Sequence, residues 1–175
     1  MCEYKYKAFI SYRREDFDKK VAKRLQNLLE RYSIPKQYRP KSEKIRWKIF
    51  RDEDELVPGS LLSESIKKKL EESEFLIIIC SKRINQTSWC NKELRYFIDL
   101  HDGSTRNVLP VLIDGTPITS FPTELWKLIE NGEAQEKNLL ALNIVQATNK
   151  QSIAVLNKDY IHLAAGLLKL ESIND

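Results

Sequence analysis

The stretch Phe75-Leu76-Ile77-Ile78-Ile79-Cys80 is an unbroken apolar run near the middle of the chain. A run that is short, β-branched and apolar on both sides predicts a central parallel strand that is covered on both faces. Polar residues follow at once, beginning with Ser81-Lys82-Arg83, where the strand would leave the sheet. Ligands of open α/β sheets bind at the carboxyl ends of the strands, so we expect a site just beyond Cys80.

The next segment, residues 88–94, reads Ser-Trp-Cys-Asn-Lys-Glu-Leu. If Ser88 caps a helix, Trp89 and Glu93 lie one turn apart on the same face. An aromatic ring and a carboxylate would then be presented together beside the strand end. Spacing alone favours a surface acid at Glu93, and Trp89 could as readily be a core residue that packs the helix on the sheet.

The composition indicates one α/β domain over residues 1–175, with a core from about residue 6 to residue 170. The 175 residues carry a net charge of +4 with acids and bases interleaved, which is typical of a solvated surface and predicts no nucleic-acid partner. Three cysteines, one in the central strand, do not form a disulfide framework, so we expect a reducing, cytoplasmic location. No apolar run approaches the roughly 20 residues of a membrane helix, so no membrane partner is expected.

Strands alternate with helices along the chain, which predicts a parallel sheet with helices on both faces and right-handed crossovers. Pro110 indicates an edge, a bulge or a strand start, and residues 114–122 are expected to form a loop. Asp16 or Asp18 is the expected cap of the first helix. Predicted strands cover residues 6–12, 45–50, 75–80, 108–113 and 142–146. Predicted helices follow the apolar stripes Val21-Leu25-Leu28-Leu29-Tyr32 and Leu62-Ile66-Leu70, and cover 89 to about 102 (ended by Gly103), 124–129 and a last segment from about Asp159.

Several kinds of site can be dismissed from the sequence. There is no GxGxxG after the first strand and no Walker A motif, and only five glycines are present. Two histidines are too few for a His-based metal site, and the acidic run at 52–55 lacks the spaced ligands of a calcium loop. Cys90 has no evident histidine partner, so a packed or incidental cysteine is favoured over a nucleophile. We therefore predict no metal and no cofactor.

Three segments, in the correct order and spacing, resemble the motif boxes of Toll/interleukin-1 receptor (TIR) domains. They are Lys7–Tyr12 (KAFISY), Phe50–Gly59 (FRDEDELVPG), and Ser81 followed by Ser88–Leu94 (SWCNKEL). The similarity runs from about Tyr6 to Leu128 and looks most like prokaryotic, NAD-cleaving members. It implies the TIR fold, a flavodoxin-like three-layer α/β sandwich around a five-stranded parallel sheet in the order 2-1-3-4-5.

The resemblance also implies an activity, the cleavage of NAD+ at the nicotinamide–ribose bond, possibly with cyclisation to a cyclic ADP-ribose isomer. By position in the motif, Glu93 is the catalytic acid. A carboxylate there would stabilise the oxocarbenium character that develops on the ribose. Arg13 or Arg51 could meet the pyrophosphate, although a plain salt bridge to Glu15 or Asp52 is at least as plausible. The expected substrate-binding residues are Trp89, Ser11, Tyr12, Arg13, Arg51 and Ser81.

TIR enzymes typically need assembly to complete their sites, so we expect a homo-oligomer, possibly with an effector or sensor partner in antiphage defence. The expected assembly loop consists of Asp52, Glu53, Asp54, Glu55, Leu56, Val57, Pro58 and Gly59. The alternative function is a non-catalytic scaffold that signals by homotypic TIR–TIR contacts. Such a scaffold has no need of an acid at Glu93. An enzyme similar to the nucleoside deoxyribosyltransferases would share the sheet and an acid, but does not account for the Pro-Gly loop.

Overall fold

A computed structural model describes residues 4–39, 46–53 and 61–169 of the chain. Its core is one five-stranded parallel sheet in the order β2-β1-β3-β4-β5, which confirms the expected flavodoxin-like topology. The strands are β1 (Tyr6–Ser11), β2 (Ile49–Arg51), β3 (Ser73–Cys80), β4 (Val108–Leu112) and β5 (Leu142–Asn143). Both β2 and β5 are shorter than predicted, and residue 45 of the predicted second strand lies outside the described residues.

The helices lie on both faces of this sheet. They are α1 (Asp16–Glu30), α2 (Glu64–Glu71), α3 (Trp89–Leu100), α4 (Pro117–Ser120), α5 (Thr123–Glu130), α6 (Glu136–Leu139) and α7 (Asn149–Leu167). Short 3₁₀ turns cover Lys36–Tyr38 and Ile84–Gln86. No helix within the described ranges combines the length and the apolar character needed to cross a membrane.

The central strand β3 divides the core into two layers. Because side chains alternate along a strand, Ile77 and Ile79 face one layer, which α1 and α7 cover. Leu76 and Ile78 face the other layer, together with apolar residues of α2, α3 and α5. All four of these side chains are fully buried, as the apolar run predicts for a strand that is covered on both faces.

The predicted helix starts need two corrections. Helix α7 begins at Asn149, ten residues before the predicted start, because Thr148 and Gln151 form a reciprocal capping box. Only residues 149–152 at the start of this helix are all polar; the apolar residues Ile153, Val155 and Leu156 come next and pack in the core, and the prediction did not assign them to the helix. Neither Asp16 nor Asp18 caps α1. The N-cap residue is Glu15, whose side chain makes no capping hydrogen bond.

Two further expectations concern β4 and the segment after it. Pro110 lies inside the sheet, in register with Ile78, and is neither at an edge nor at a strand start. The Ile113 N–H donates to the Cys80 carbonyl on β3. Because successive backbone N–H groups of a strand point to opposite sides, the Pro110 nitrogen faces β5, and the pairing of β4 with β5 begins only at Val111. The missing N–H therefore removes no ladder bond.

The expected loop at 114–122 contains the short helix α4, which begins at a proline in its first turn.

Candidate functional site

A cavity of about 690 Å³ opens at the carboxyl end of β1, between the start of α3 and the start of α5. This is the edge of the sheet at which open α/β folds bind their ligands. The walls come from the loop after β1, the turn before α3, and the first turns of α3 and α5. The lining residues are Tyr12, Arg13, Arg14, Glu15, Asn85, Gln86, Thr87, Ser88, Trp89, Cys90, Asn91, Thr123 and Glu124.

Two asparagines that the sequence did not single out fix one wall of this cavity. Asn85 donates to the Phe121 carbonyl (3.1 Å), and its amide oxygen accepts from Asn91 (2.8 Å) and from the Thr123 backbone N–H (3.0 Å). The Asn91 amide oxygen accepts from the Glu124 N–H (3.0 Å). Side-chain oxygens thus bind N–H groups in the first turn of α5, which have no partner within the helix. Their sequence spacing gives no signal for this role.

Trp89 and Glu93 lie one turn apart on α3, as expected, but only Trp89 lines the cavity. Glu93 lies beneath the lining and is only 2% exposed. Neither Glu93 Oε2 nor Trp89 Nε1 makes a hydrogen bond. Ser88 occupies the N-cap position of α3, as expected, but its side chain forms no capping hydrogen bond.

The environment of Glu93 favours its protonated form. Burial raises the pKa of Glu93 from its ordinary 4.5 to about 7, because the carboxylate loses its hydration. The Ser11 hydroxyl, the Arg14 charge and the Trp89 indole lower the pKa, but together they do not offset burial. Ser11 lies at the end of β1, is buried like Glu93, and its Oγ also makes no hydrogen bond. An acid with a pKa close to neutral thus lies one helical turn from the Trp89 that lines the cavity.

Arg14 and Asp52 form a charged pair near Glu93. Arg14 Nη2 lies 3.4 Å from Asp52 Oδ2, and the guanidinium stacks 4.2 Å from the centroid of the Tyr12 ring. The Tyr12 hydroxyl donates to the Asp52 carbonyl. Asp52, expected in the assembly loop, is therefore buried against its own chain. Glu53 pairs with Arg51 at 2.6 Å, and the remaining expected loop residues, 54–59, lie outside the described residues.

The other expected substrate-binding residues divide between the cavity and its surroundings. Tyr12 and Arg13 line the cavity, whereas Arg51 does not and instead donates to Gln26 (3.0 Å). Arg13 pairs with Glu15 at 3.0 Å, which is the salt bridge that the sequence left open as the alternative for this residue. The bridge of Arg51 goes to Glu53, although Asp52 was the expected acid.

Ser81 belongs to a second, neighbouring cleft of about 450 Å³. Its hydroxyl donates to Asp18 Oδ2 at 3.0 Å, and both residues are buried. Burial raises the pKa of Asp18 to about 6, against the lowering effects of the Ser81 hydrogen bond and the Arg13 charge. The Asp18–Ser81 bond joins the start of α1 to the end of β3, so Ser81 has a structural contact that its motif position did not indicate. Arg13 and Glu15 form the ridge between the two clefts.

No group of three or more His, Cys, Asp or Glu side chains in the described ranges could hold a metal ion. Cys80 and Cys90 are free and buried, and burial raises the pKa of the Cys90 thiol to about 12. A thiol with so high a pKa is a poor nucleophile near neutral pH. The chemistry that this site offers is therefore that of one buried carboxyl group beside an aromatic wall.

A sequence model of the TIR domain matches residues 8–143, which is most of the chain. This chain belongs to the TIR domain family. The match covers all five strands of the TIR domain almost completely and all of the residues that line its cavity.

Two curated proteins are similar to this TIR domain. The NAD(+) hydrolase ApTIR from Actinoplanes sp. is 32% identical over 111 residues, which is 63% of this chain and 14% of that protein. The TMV resistance protein N from Nicotiana glutinosa is 26% identical over 77% of this chain and 11% of its own length. The chain thus spans only a small part of these relatives.

Among solved structures, a metazoan TIR-STING receptor from C. gigas is similar over 76% of this chain and 40% of its own chain, with a TM-score of 0.50 and 20% identity. At that identity the likeness concerns the fold alone.

Proposed function

We propose that this TIR domain hydrolyses NAD+ at the nicotinamide–ribose bond, with Glu93 as the catalytic residue. The observation that carries the proposal is the buried carboxyl of Glu93, with no hydrogen bond to Oε2, one helical turn from the Trp89 that lines the cavity. Similarity to a protein named as an NAD(+) hydrolase supports the same activity.

The proposed chemistry needs only one acid. Cleavage of the N-glycosidic bond places positive charge on the ribose, and a carboxylate in a site of low dielectric stabilises that charge strongly. Nicotinamide leaves as a neutral base, so no strong general acid is required. With a pKa of about 7, a substantial fraction of Glu93 is ionised near neutral pH. Trp89 offers a flat apolar wall for a ring of the substrate. NAD+ is the substrate, and the proposed step uses neither a metal nor a cofactor.

The burial of Glu93 connects the proposed activity to assembly. Trp89 and Cys90 line the cavity above Glu93, so its carboxyl must become accessible before it can meet the ribose. We propose that self-association through the loop at 52–59 shifts the start of α3, which has no side-chain cap to hold it. The family resemblance extends this proposal to a cyclic ADP-ribose isomer as a second product, to an effector or sensor partner, and to a cytoplasmic role in antiphage defence.

The test is incubation of the purified protein with NAD+, dilute and then clustered on a surface, with mass spectrometry of the products. We expect nicotinamide and ADP-ribose to appear on clustering. Glu93→Gln should lower the rate by roughly 10²- to 10³-fold, as the loss of one electrostatic stabiliser does in other enzymes. Glu130→Gln, at the exposed end of α5, is the matched control and should keep the full rate. Cleavage that survives Glu93→Gln would overturn the assignment.

A non-catalytic scaffold is the second candidate function. The observation in its favour is that Glu93 is absent from the cavity lining and is nearly inaccessible in the isolated chain. A scaffold predicts concentration-dependent association with no nicotinamide release under any clustering condition. Sedimentation of the same samples used for the NAD+ assay distinguishes the two functions.

A further inference from the structure

The end of the sheet opposite to the cavity holds three ammonium groups around one tyrosine ring. The Nζ atoms of Lys5, Lys48 and Lys69 lie 5.3, 5.1 and 5.4 Å from the centroid of the Tyr6 ring. Lys5 precedes β1, Lys48 precedes β2 and Lys69 lies on α2. Three separate segments of the chain thus each place a lysine ammonium group near the same tyrosine ring.

These charges lack acidic partners among the residues that the structure describes. None of the three lysines forms an ion pair within 4.0 Å there. Nearby lysines behave differently, since Lys7 and Lys169 both pair with Glu74. Lys69 instead donates to the Tyr6 hydroxyl at 3.3 Å. Among the described residues, the cluster is therefore a local excess of positive charge.

Tyr6 responds to this excess. Tyr6 is 6% exposed, and its ring packs edge-on against Phe50, with 5.4 Å between the ring centroids. Burial raises the pKa of Tyr6, but hydrogen bonds and charge from Lys69 and Lys5 outweigh it and lower the pKa below its ordinary value. A buried phenol whose pKa is lowered by nearby ammonium groups indicates a positive potential at this point of the described structure.

We propose that Lys5, Lys48 and Lys69 form a binding site for a multiply charged phosphate anion, with the Tyr6 hydroxyl at its centre. Lysine ammonium groups are point charges on long, flexible stems, so three of them can turn their donors to one phosphate group without fixed planar geometry. A bound anion would relieve the repulsion among three like charges that lie close together. The site is at the amino ends of the strands, so it does not depend on the NAD+ cleavage proposed for the opposite edge.

The experiment titrates the whole chain with inorganic tripolyphosphate and follows heat of binding and thermal stability. We expect saturable binding that weakens with added salt. The triple variant Lys5→Gln/Lys48→Gln/Lys69→Gln should bind at least roughly tenfold more weakly, as expected when several charge contacts are removed together. The matched control is Lys19→Gln/Lys20→Gln/Lys23→Gln on the exposed face of α1, which makes the same change in net charge and should bind like wild type.

A second readout reports on the centre of the site. The ultraviolet difference between wild type and Tyr6→Phe isolates the Tyr6 phenol, and tripolyphosphate should raise its pKa by neutralising the lysines. Vesicles of phosphatidylcholine with and without phosphatidic acid test whether the phosphate belongs to a lipid. With either probe, the proposal is supported if the Lys5/Lys48/Lys69 variant loses binding and the control variant on α1 keeps it. Equal losses in both triple variants, an unmoved Tyr6 pKa, or no binding of either probe would overturn the proposal. None of these outcomes bears on nicotinamide release.

Discussion

The replacement Glu93→Gln should stabilise the protein at alkaline pH and change little at acidic pH. Glutamine resembles the protonated carboxyl in shape and cannot ionise. Glu93 is 2% exposed, so its charge in the folded state is poorly hydrated, and burial raises its pKa from 4.5 to about 7. In the unfolded chain the same carboxyl is hydrated and ionises near its ordinary pKa.

The size and the sign of the effect follow from this pKa difference. Each pKa unit corresponds to about 1.36 kcal/mol, so ionisation of Glu93 costs the folded state about 3 kcal/mol once both states are ionised. The folded state binds the proton more tightly, so the contribution of Glu93 to stability is complete below about pH 4.5 and is lost as pH rises to about 7. Glu93→Gln should therefore gain less than about 1 kcal/mol near pH 5 and about 3 kcal/mol near pH 8.

Urea unfolding of both proteins near pH 5 and pH 8, followed by tryptophan fluorescence, measures these differences. In thermal unfolding the gain near pH 8 should raise Tm by roughly 6 to 12 °C for a chain of this size. Glu130→Gln, at an exposed position on α5, controls for the loss of a surface charge and should show no such pH-dependent gain. A variant that is less stable than wild type near pH 8 would show that a paired carboxylate occupies this position, and a gain independent of pH would show that folding does not shift the pKa of Glu93; either result would refute the reasoning.

Three further outcomes are expected. Asp18→Asn should also stabilise the protein at high pH, with a gain that develops between about pH 4 and pH 6 because burial raises the pKa of Asp18 to about 6; urea titrations across this range measure it. Gly115→Ala should destabilise by roughly 1–3 kcal/mol because an added Cβ would lie 2.5 Å from two hydroxyl oxygens at a φ of +76°, whereas Gly103→Ala (φ +83°), with open space around it, should cost less in the same unfolding assay. Thr148→Ala should cost about 1 kcal/mol because it removes the cap that accepts from Gln151 N at 3.2 Å, and calorimetry checks the loss.

The sheet was largely predictable from the sequence because its signal is local. The apolar run of β3 is buried on both faces, and its neighbours β1 and β4 follow the same pattern at the predicted positions. Helix α3 also begins and ends close to the predicted residues: Asp102 and Gly103, which follow the C-cap His101, both adopt a positive φ, and the Gly103 N–H donates to the Ile98 carbonyl. The start of α7 was misplaced, since residues 149–152 are polar and the prediction left out the apolar residues Ile153, Val155 and Leu156 that follow them.

The chemistry of the site is only partly local. The motif places Trp89 and Glu93 on one face of a helix, because helical spacing depends on sequence separation alone. The depth of each side chain depends on how α3 packs on the sheet, which brings Ser11 and Arg14 near the acid from about 80 residues away in the chain. That packing buries Glu93, leaves Trp89 in the cavity wall and raises the carboxyl pKa.

The sequence by itself thus determined the order of the five strands and of the longer helices, the family, and the spacing that places Trp89 and Glu93 on one helix face. Tertiary structure alone decided which polar groups meet: Ser81 donates to Asp18, Arg51 donates to Gln26, and three lysines lie around the Tyr6 ring. The physical reason is that burial and electrostatic interaction depend on distances through space, and segments far apart in the chain set those distances only when the sheet has formed.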